Sequence, residues 1–462
     1  MKKRAKRQAA RKRLKMKVKV IGAGLAGCEA AYALASRGVE VDLYEMKPIR
    51  RSPAHHSDDF AELVCSNSLK AMRVESAAGL LKEEMRRLGS VCITAAEHNA
   101  VAAGGALAVD RDGFSHEITE RIRSHNLINV ISEECVSIDT DEITVICSGP
   151  LTDGALAEEI KRLTGGEPPT HLYAAGGASL SFFDAAAPIV SADSIDMNRA
   201  FCASRYDRGG DDYINCPMNK AEYEAFYDAI MTAERAPQKE FDKAGRVYEG
   251  CMPIEVMAQR GADTMRFGPL KPVGLRDPST GHRPWANLQL RRENADGTMY
   301  NLVGFQTNLK FGEQKRVFSM IPALHDAEFV RYGVMHRNSF INSPQVLNSD
   351  LSLKDYPNVY FAGQITGVEG YMESASSGIV AGINIVRRLN GLLPLSLPDY
   401  TMIGALTGYV TGGCTADFQP MGANFGVLPP IEPHIRDKKE RYAALSKRAL
   451  MWYDNYIDNN IR

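Results

Sequence analysis

Residues 18–45 read VKVIGAGLAGCEAAYALASRGVEVDLYE. The apolar opening is that of a buried parallel strand, the Ala-rich run after it predicts a helix that Gly38 can terminate, and VEVDLYE predicts a second strand. Between the first strand and the helix stand Gly22, Ala23, Gly24 and Gly27. Gly22 permits the tight turn, Gly24 lets a pyrophosphate approach the backbone at a helix N-terminus, and Gly27 lets helix and strand pack closely. Glu45 closes the second strand, where a carboxylate can hold ribose hydroxyls. Strand, glycine turn, helix, strand and terminal acid in register predict a bound dinucleotide.

A second stretch, NVYFAGQITGVEGYMESASSGIVAGINIVRRL at 358–389, repeats the order of strand, Gly-rich turn and small-residue helix. Its strand ends Phe361-Ala362-Gly363-Gln364, with an amide where chains that wrap FAD commonly place an acid near the ribityl chain. A helix beginning near Glu369 or Glu373 would aim its positive end at a flavin. Two distant segments building one site favour FAD over NAD, and no second GxGxxG follows for a nicotinamide nucleotide.

The chain has 462 residues, 44% of them hydrophobic, enough for two or more domains. No run reaches the ~18 apolar residues of a membrane helix, and the N-terminus lacks the apolar centre of a secretory signal, so the expectation is a cytoplasmic protein away from membranes. Nine cysteines show neither a CxxC pair nor Cys/His spacings of a zinc site, which argues for thiols and against a metal. The net charge of −1 hides an asymmetry: residues 1–15 carry nine Lys or Arg and no acid, leaving 46 basic against 56 acidic residues in the remainder. Such an arm is expected to be disordered, and Met16 could equally be the natural start.

Between the two flavin segments stand PAHHSDDFAELVCSNSLKA, AVAAGGALAVDRDGFS, SRYDRGGDDYINCPM, GCMPIEVMAQRG, RFGPLKPVGLRDP, GFQTNLKFGEQKRVFSMIPAL and MHRNSFINSP, and after them FQPMGANFGVLPP. In this order they resemble the folate- and FAD-dependent tRNA uracil-5-methyltransferases. The resemblance implies methylation of a T-loop uridine to ribothymidine, with methylenetetrahydrofolate as carbon donor, reduced FAD as hydride source, NADH or NADPH as reductant, and tRNA as partner. It also implies that Cys65 and Cys251 are the catalytic pair. The chemistry suits cysteine, because thiolate addition at C6 turns C5 of uracil into an enolate-like nucleophile. Cys251 precedes Pro253, a residue suited to a first helical turn, and that position favours it as the nucleophile. Cys65 is then expected beside the flavin.

For substrates, residues 260–292 carry seven Lys or Arg against two Asp, and Lys271, Arg283 and Trp285 are candidates for folate or RNA contact, with His336 and Arg337 further on. The expected fold is α/β: a Rossmann-like FAD-binding domain, a parallel sheet with helices on both faces, formed by 16–194 and 326–462 and interrupted by a smaller α/β insertion at 195–325. Three other readings stand beside it: the same chemistry on ribosomal RNA, which no residue distinguishes; a relative that modifies wobble uridines, whose longer chain and added helical domain count against it; and an RNA-binding flavoprotein without methyl transfer, against which the two motif cysteines count.

Overall fold

A computed structural model describes residues 17–52, 54–165, 179–185, 187–207, 210–236, 252–413 and 418–460. The basic arm 1–15 and Cys251 lie outside the described residues.

The first sheet has five parallel strands in the order Val359–Phe361, Thr144–Ile146, Val18–Ile21, Val41–Glu45, Ile128–Ser132. The two nucleotide segments therefore reach one sheet from opposite ends of the chain, separated by a single strand. Val18, Val20, Leu43, Val145 and Phe361 are almost fully buried, as strands of a covered parallel sheet must be. Helix Leu25–Ala35 packs against helix Tyr371–Leu389. Their closeness depends on glycine: a Cβ on Gly378 would lie 2.1 Å from the Ala26 carbonyl oxygen, and one on Gly382 would lie 2.9 Å from that of Ala30.

The second sheet is antiparallel, in the order Phe201–Cys202, Tyr213–Met218, Ala286–Arg292, Met299–Leu302, Ile189–Ser191, Phe329–Arg331. It has its own core, including Phe226, Phe305, Phe318 and Leu288. Helix Lys220–Thr232 packs into this core and starts with a reciprocal cap between Asn219 and Glu222. In chain order its strands run from Ile189 to Arg331. Just outside it, Ser179–Ala185 pairs antiparallel with Met335–Ile341. The chain thus leaves the first domain and returns to it along one two-stranded ribbon.

A small sheet of Ser68–Ala71, Ala106–Val109 and Ala100–Val101 sits where the domains meet. Tyr213 donates its hydroxyl to the Ala103 carbonyl at 2.9 Å, and the Gly104 N–H donates to Asp212 at 2.7 Å, fixing that junction. The C-terminal helix Lys438–Asn460 closes the first domain by burying Ala449 and Tyr453.

Candidate functional site

A cleft runs along the C-terminal ends of the parallel strands, lined in part by Gly22, Ala23, Gly24, Glu45, Gly363 and Gln364. Gly22 adopts φ +94°, and a Cβ there would stand 2.7 Å from the Cys147 carbonyl oxygen. Gly27 lies behind the turn, where a Cβ would come 1.8 Å from the Gly22 oxygen. At Gly24, the residue preceding the helix, nothing stands within 4 Å of where a Cβ would be. Two glycines are therefore demanded by packing and the third leaves open space at a helix N-terminus, the arrangement that admits a pyrophosphate.

Glu45 is buried and accepts hydrogen bonds from the N–H groups of Ala23 at 2.8 Å and Lys47 at 3.0 Å. It therefore fastens the glycine turn to the second strand, with lone pairs left for a ribose. At the other end, Gly363 adopts φ +89° and its N–H donates to Ser377 at 2.7 Å. The Gln364 amide donates to Glu369 at 2.8 Å. Glu373 is buried, does not line the cleft, and instead accepts from Lys70 at 2.7 Å and from the Ala423 N–H at 3.0 Å. It ties the start of the Tyr371–Leu389 helix to two other segments.

Cys65 is half-buried in the loop 63–67 that leads into the Ser68 strand. Both its N–H, at 2.8 Å, and that of Ser66, at 3.2 Å, donate to the hydroxyl oxygen of Tyr371, a residue that lines the cleft. Burial, with the Cys65 sulfur nearby, pushes the Tyr371 pKa up, so the ring stays a neutral phenol at working pH. Asn67, fully buried, donates to the carbonyls of Val109 and Arg292 and accepts from Arg291, pinning the loop to the second domain. Four other cysteines, Cys28, Cys92, Cys147 and Cys216, are fully buried with thiol pKa values pushed up by desolvation, which makes them inert.

Following Cys251, Pro253 precedes the helix Ile254–Gln259, and Gly261 takes φ +138° just after it. The Ile254 N–H donates to the Gln306 carbonyl at 2.7 Å, and Glu255 accepts from Thr307 at 2.9 Å and from the Asn308 N–H at 2.7 Å. The remaining sequence candidates lie outside the cleft lining: Lys271, Arg283 and Trp285 on the second domain, and His336 and Arg337 in the ribbon strand, where the side chains are outside the described residues. Trp285 is 38% exposed with the Arg266 guanidinium 3.9 Å from its ring centre and Lys220 at 5.6 Å. Phe267 beside Arg266 is 84% exposed.

Sequence reading did not single out Tyr371 or Asn67, the two side chains that hold the Cys65 loop in place here. The signal for Tyr371 was available, since it is the first residue of the helix after the glycine turn. Among the described residues no group of three or more His, Cys, Asp or Glu could hold a metal ion, and no helix is long and apolar enough to cross a membrane.

The sheet order, the two glycine segments and the cleft define a two-domain flavoprotein of the dinucleotide-binding class. Residues 17–392 match the family model described as glucose inhibited division protein A. Relatives called methylenetetrahydrofolate–tRNA-(uracil-5-)-methyltransferase TrmFO include that of Desulfitobacterium hafniense, 57% identical over 94% of this chain and 96% of the relative. That of Acetivibrio thermocellus is 56% identical over 95% and 98%. The chain belongs to this TrmFO family. Among solved structures, GidA of Aquifex aeolicus is similar in fold, with a TM-score of 0.66 at 16% identity, covering 95% of this chain and 73% of that one.

Proposed function

We propose that this protein transfers the one-carbon unit of methylenetetrahydrofolate to C5 of a T-loop uridine in tRNA, with FAD in the cleft and NADH or NADPH as reductant. The observation that carries the reading is the identity of 57% to a methyltransferase of that name over nearly the whole length of both chains. The residues present fit FAD: the open side of Gly24, the packed backs of Gly22 and Gly27, and Gly363 at the second turn form a cradle that side chains would fill. When bound, reduced FAD supplies the hydride that converts the transferred methylene to methyl.

This chain's residues supply the rest. Glu45 and Ser377 hold the two glycine turns against the cleft through backbone N–H groups. One of Cys65 and Cys251 adds to C6 of uracil and makes C5 nucleophilic, and the other takes the C5 proton, with Cys251 favoured as nucleophile. Tyr371 holds the Cys65 backbone at the cleft. The Arg266, Trp285 and Lys220 group with exposed Phe267 offers stacking faces and cations to RNA, and Lys271, Arg283, His336 and Arg337 add positive or polar groups toward RNA or folate. With these substrates the protein works in the cytoplasm.

The test is transfer of labelled carbon from methylenetetrahydrofolate into unmodified tRNA and, separately, ribosomal RNA, with NAD(P)H and FAD present. Label recovered as 5-methyluridine in tRNA is expected. Label in ribosomal RNA alone would move the substrate, and no label with FAD bound and reducible would overturn the methyltransferase reading.

A further inference from the structure

The Cys65 loop is held by more positive charge than its counter-charge balances. Arg111 opens the helix Arg111–Arg123, Arg291 stands in the Ala286–Arg292 strand and Arg331 ends the Phe329–Arg331 strand, and all three converge on residues 63–67. Arg111 donates to the Leu63 carbonyl and, at 3.4 Å, to that of Cys65. Arg331 donates to the Val64 carbonyl at 2.7 Å. Arg291 donates to the Ser66 hydroxyl and to the Asn67 amide oxygen, each at 2.9 Å. Every residue from 63 to 67 thus offers an acceptor to one of three guanidiniums.

Among the described residues, the carboxylate ion-paired with this group is Glu293, 2.5 Å from Arg111. The other Glu293 oxygen is buried without a hydrogen-bond partner. Burial is the largest single influence on Arg111 and opposes its charge, but Glu293, Tyr371 and the Cys65 sulfur together outweigh it and raise the Arg111 pKa, whereas burial leaves Arg291 and Arg331 below the ordinary value. Carbonyls and hydroxyls do not need charged donors, and burying cations costs several kcal/mol each when no anion faces them. The Cys65 sulfur lies within electrostatic reach of all three arginines.

We propose that Arg111, Arg291 and Arg331 form a guanidinium cage that positions the Cys65 loop and holds the negative charge of Cys65 when it is a thiolate, with Glu293 as the partial counterweight. The cage residues are positioning residues, drawn from both domains, so the second domain reaches the cysteine of the first. The inference rests on Cys65 taking part in the reaction.

The experiment measures the rate at which iodoacetamide alkylates Cys65 in the full-length, FAD-loaded protein at pH 7, by mass spectrometry of the Cys65 peptide. Arg331→Gln is expected to slow it about tenfold, and Arg331→Lys, which keeps the charge, to stay within about threefold of the parent. Glu293→Gln removes the counterweight and is expected to speed alkylation about threefold, a rise that a merely structural role does not produce. An unchanged rate in Arg331→Gln, or Lys as slow as Gln, overturns the cage. So does a slower or unchanged rate in a Glu293→Gln protein that retains FAD, which keeps the test decisive if Arg331→Gln fails to fold. Cys65→Ala in the methyl-transfer assay separates the two layers: full transfer by that variant ends the catalytic reading of Cys65, whereas the alkylation rates judge the cage by themselves.

Discussion

Gly378→Ala tests the idea that helix Tyr371–Leu389 reaches the cleft by backbone contact with helix Leu25–Ala35. In an isolated helix the change would stabilise by about 1 kcal/mol, because alanine is the better helix former. Here the new Cβ would stand 2.1 Å from the Ala26 carbonyl oxygen and 2.9 Å from its carbon. An ordinary contact is about 3.5 Å, so the helices must separate by more than an ångström where both surfaces are main chain. Overpacking of rigid neighbours costs about 1–3 kcal/mol, and the upper end applies where no side chain can turn aside. The net expectation is a loss of ~2 kcal/mol, or roughly 2–3 °C in melting temperature for a cooperative unit of this size. Because Gly363 and Tyr371 shift with the helix, FAD content should fall as well. The assay is thermal unfolding of apo and FAD-loaded protein with flavin absorbance per chain. A melting temperature that rises by the helix-propensity gain, with FAD retained, would refute the reasoning.

Gly24→Ala is expected to behave oppositely: with nothing within 4 Å of the new Cβ, apo stability stays within about 0.5 kcal/mol, while FAD affinity drops at least about tenfold because the methyl occupies the pyrophosphate space. Fluorescence titration of FAD into apo protein checks it, and unaltered affinity would discard the assignment. Tyr371→Phe removes the acceptor of two N–H groups at the Cys65 loop, costing about 1–3 kcal/mol locally; methyl transfer is expected to fall more than about tenfold with tRNA affinity unchanged, and equal loss of both would point to general unfolding. Burial raises Glu84 from 4.5 to about 7, opposed by N–H donors from Met402 and Ile403. The folded state therefore binds a proton that the unfolded state has released, so stability falls as pH rises from about 4.5 to about 7, by at most ~3 kcal/mol. Glu84→Gln should flatten that decline in urea midpoints taken at pH 5 and 7.5, and an undiminished slope would clear Glu84 of responsibility. Trp285→Ala is expected to weaken tRNA binding about tenfold at matched salt while leaving NAD(P)H oxidation at the flavin unchanged; filter binding showing parental affinity would remove the Trp285 face from the RNA path.

What could be read from sequence was what a local rule demands. Gly22 and Gly363 sit at positive φ, and Gly27 faces a carbonyl at a distance no Cβ tolerates, so the residue type itself announces the turn. The place of Glu45 at the strand end was legible in sequence, although its two backbone N–H partners are visible only in three dimensions. Gly378 stayed silent because a glycine in a helix of small residues has no spacing that says which neighbour lies against it. Arg111, Arg291, Arg331 and Tyr371 come from four segments, each surrounded by ordinary sequence, and only the junction of the domains brings them to one loop. The first and last strands of the second sheet in chain order, Ile189–Ser191 and Phe329–Arg331, are three residues each, too short for an alternation to show in sequence.

The ribbon of Ser179–Ala185 and Met335–Ile341 makes the second domain a detour whose two ends lie side by side. A segment with adjacent ends can be exchanged for another of different size while the parallel sheet keeps its register, since the gap to be closed never changes. The flavin half can then stay constant across descendants while the module hung from the ribbon is replaced, and selection acting on that module alone can redirect the chemistry to a new substrate.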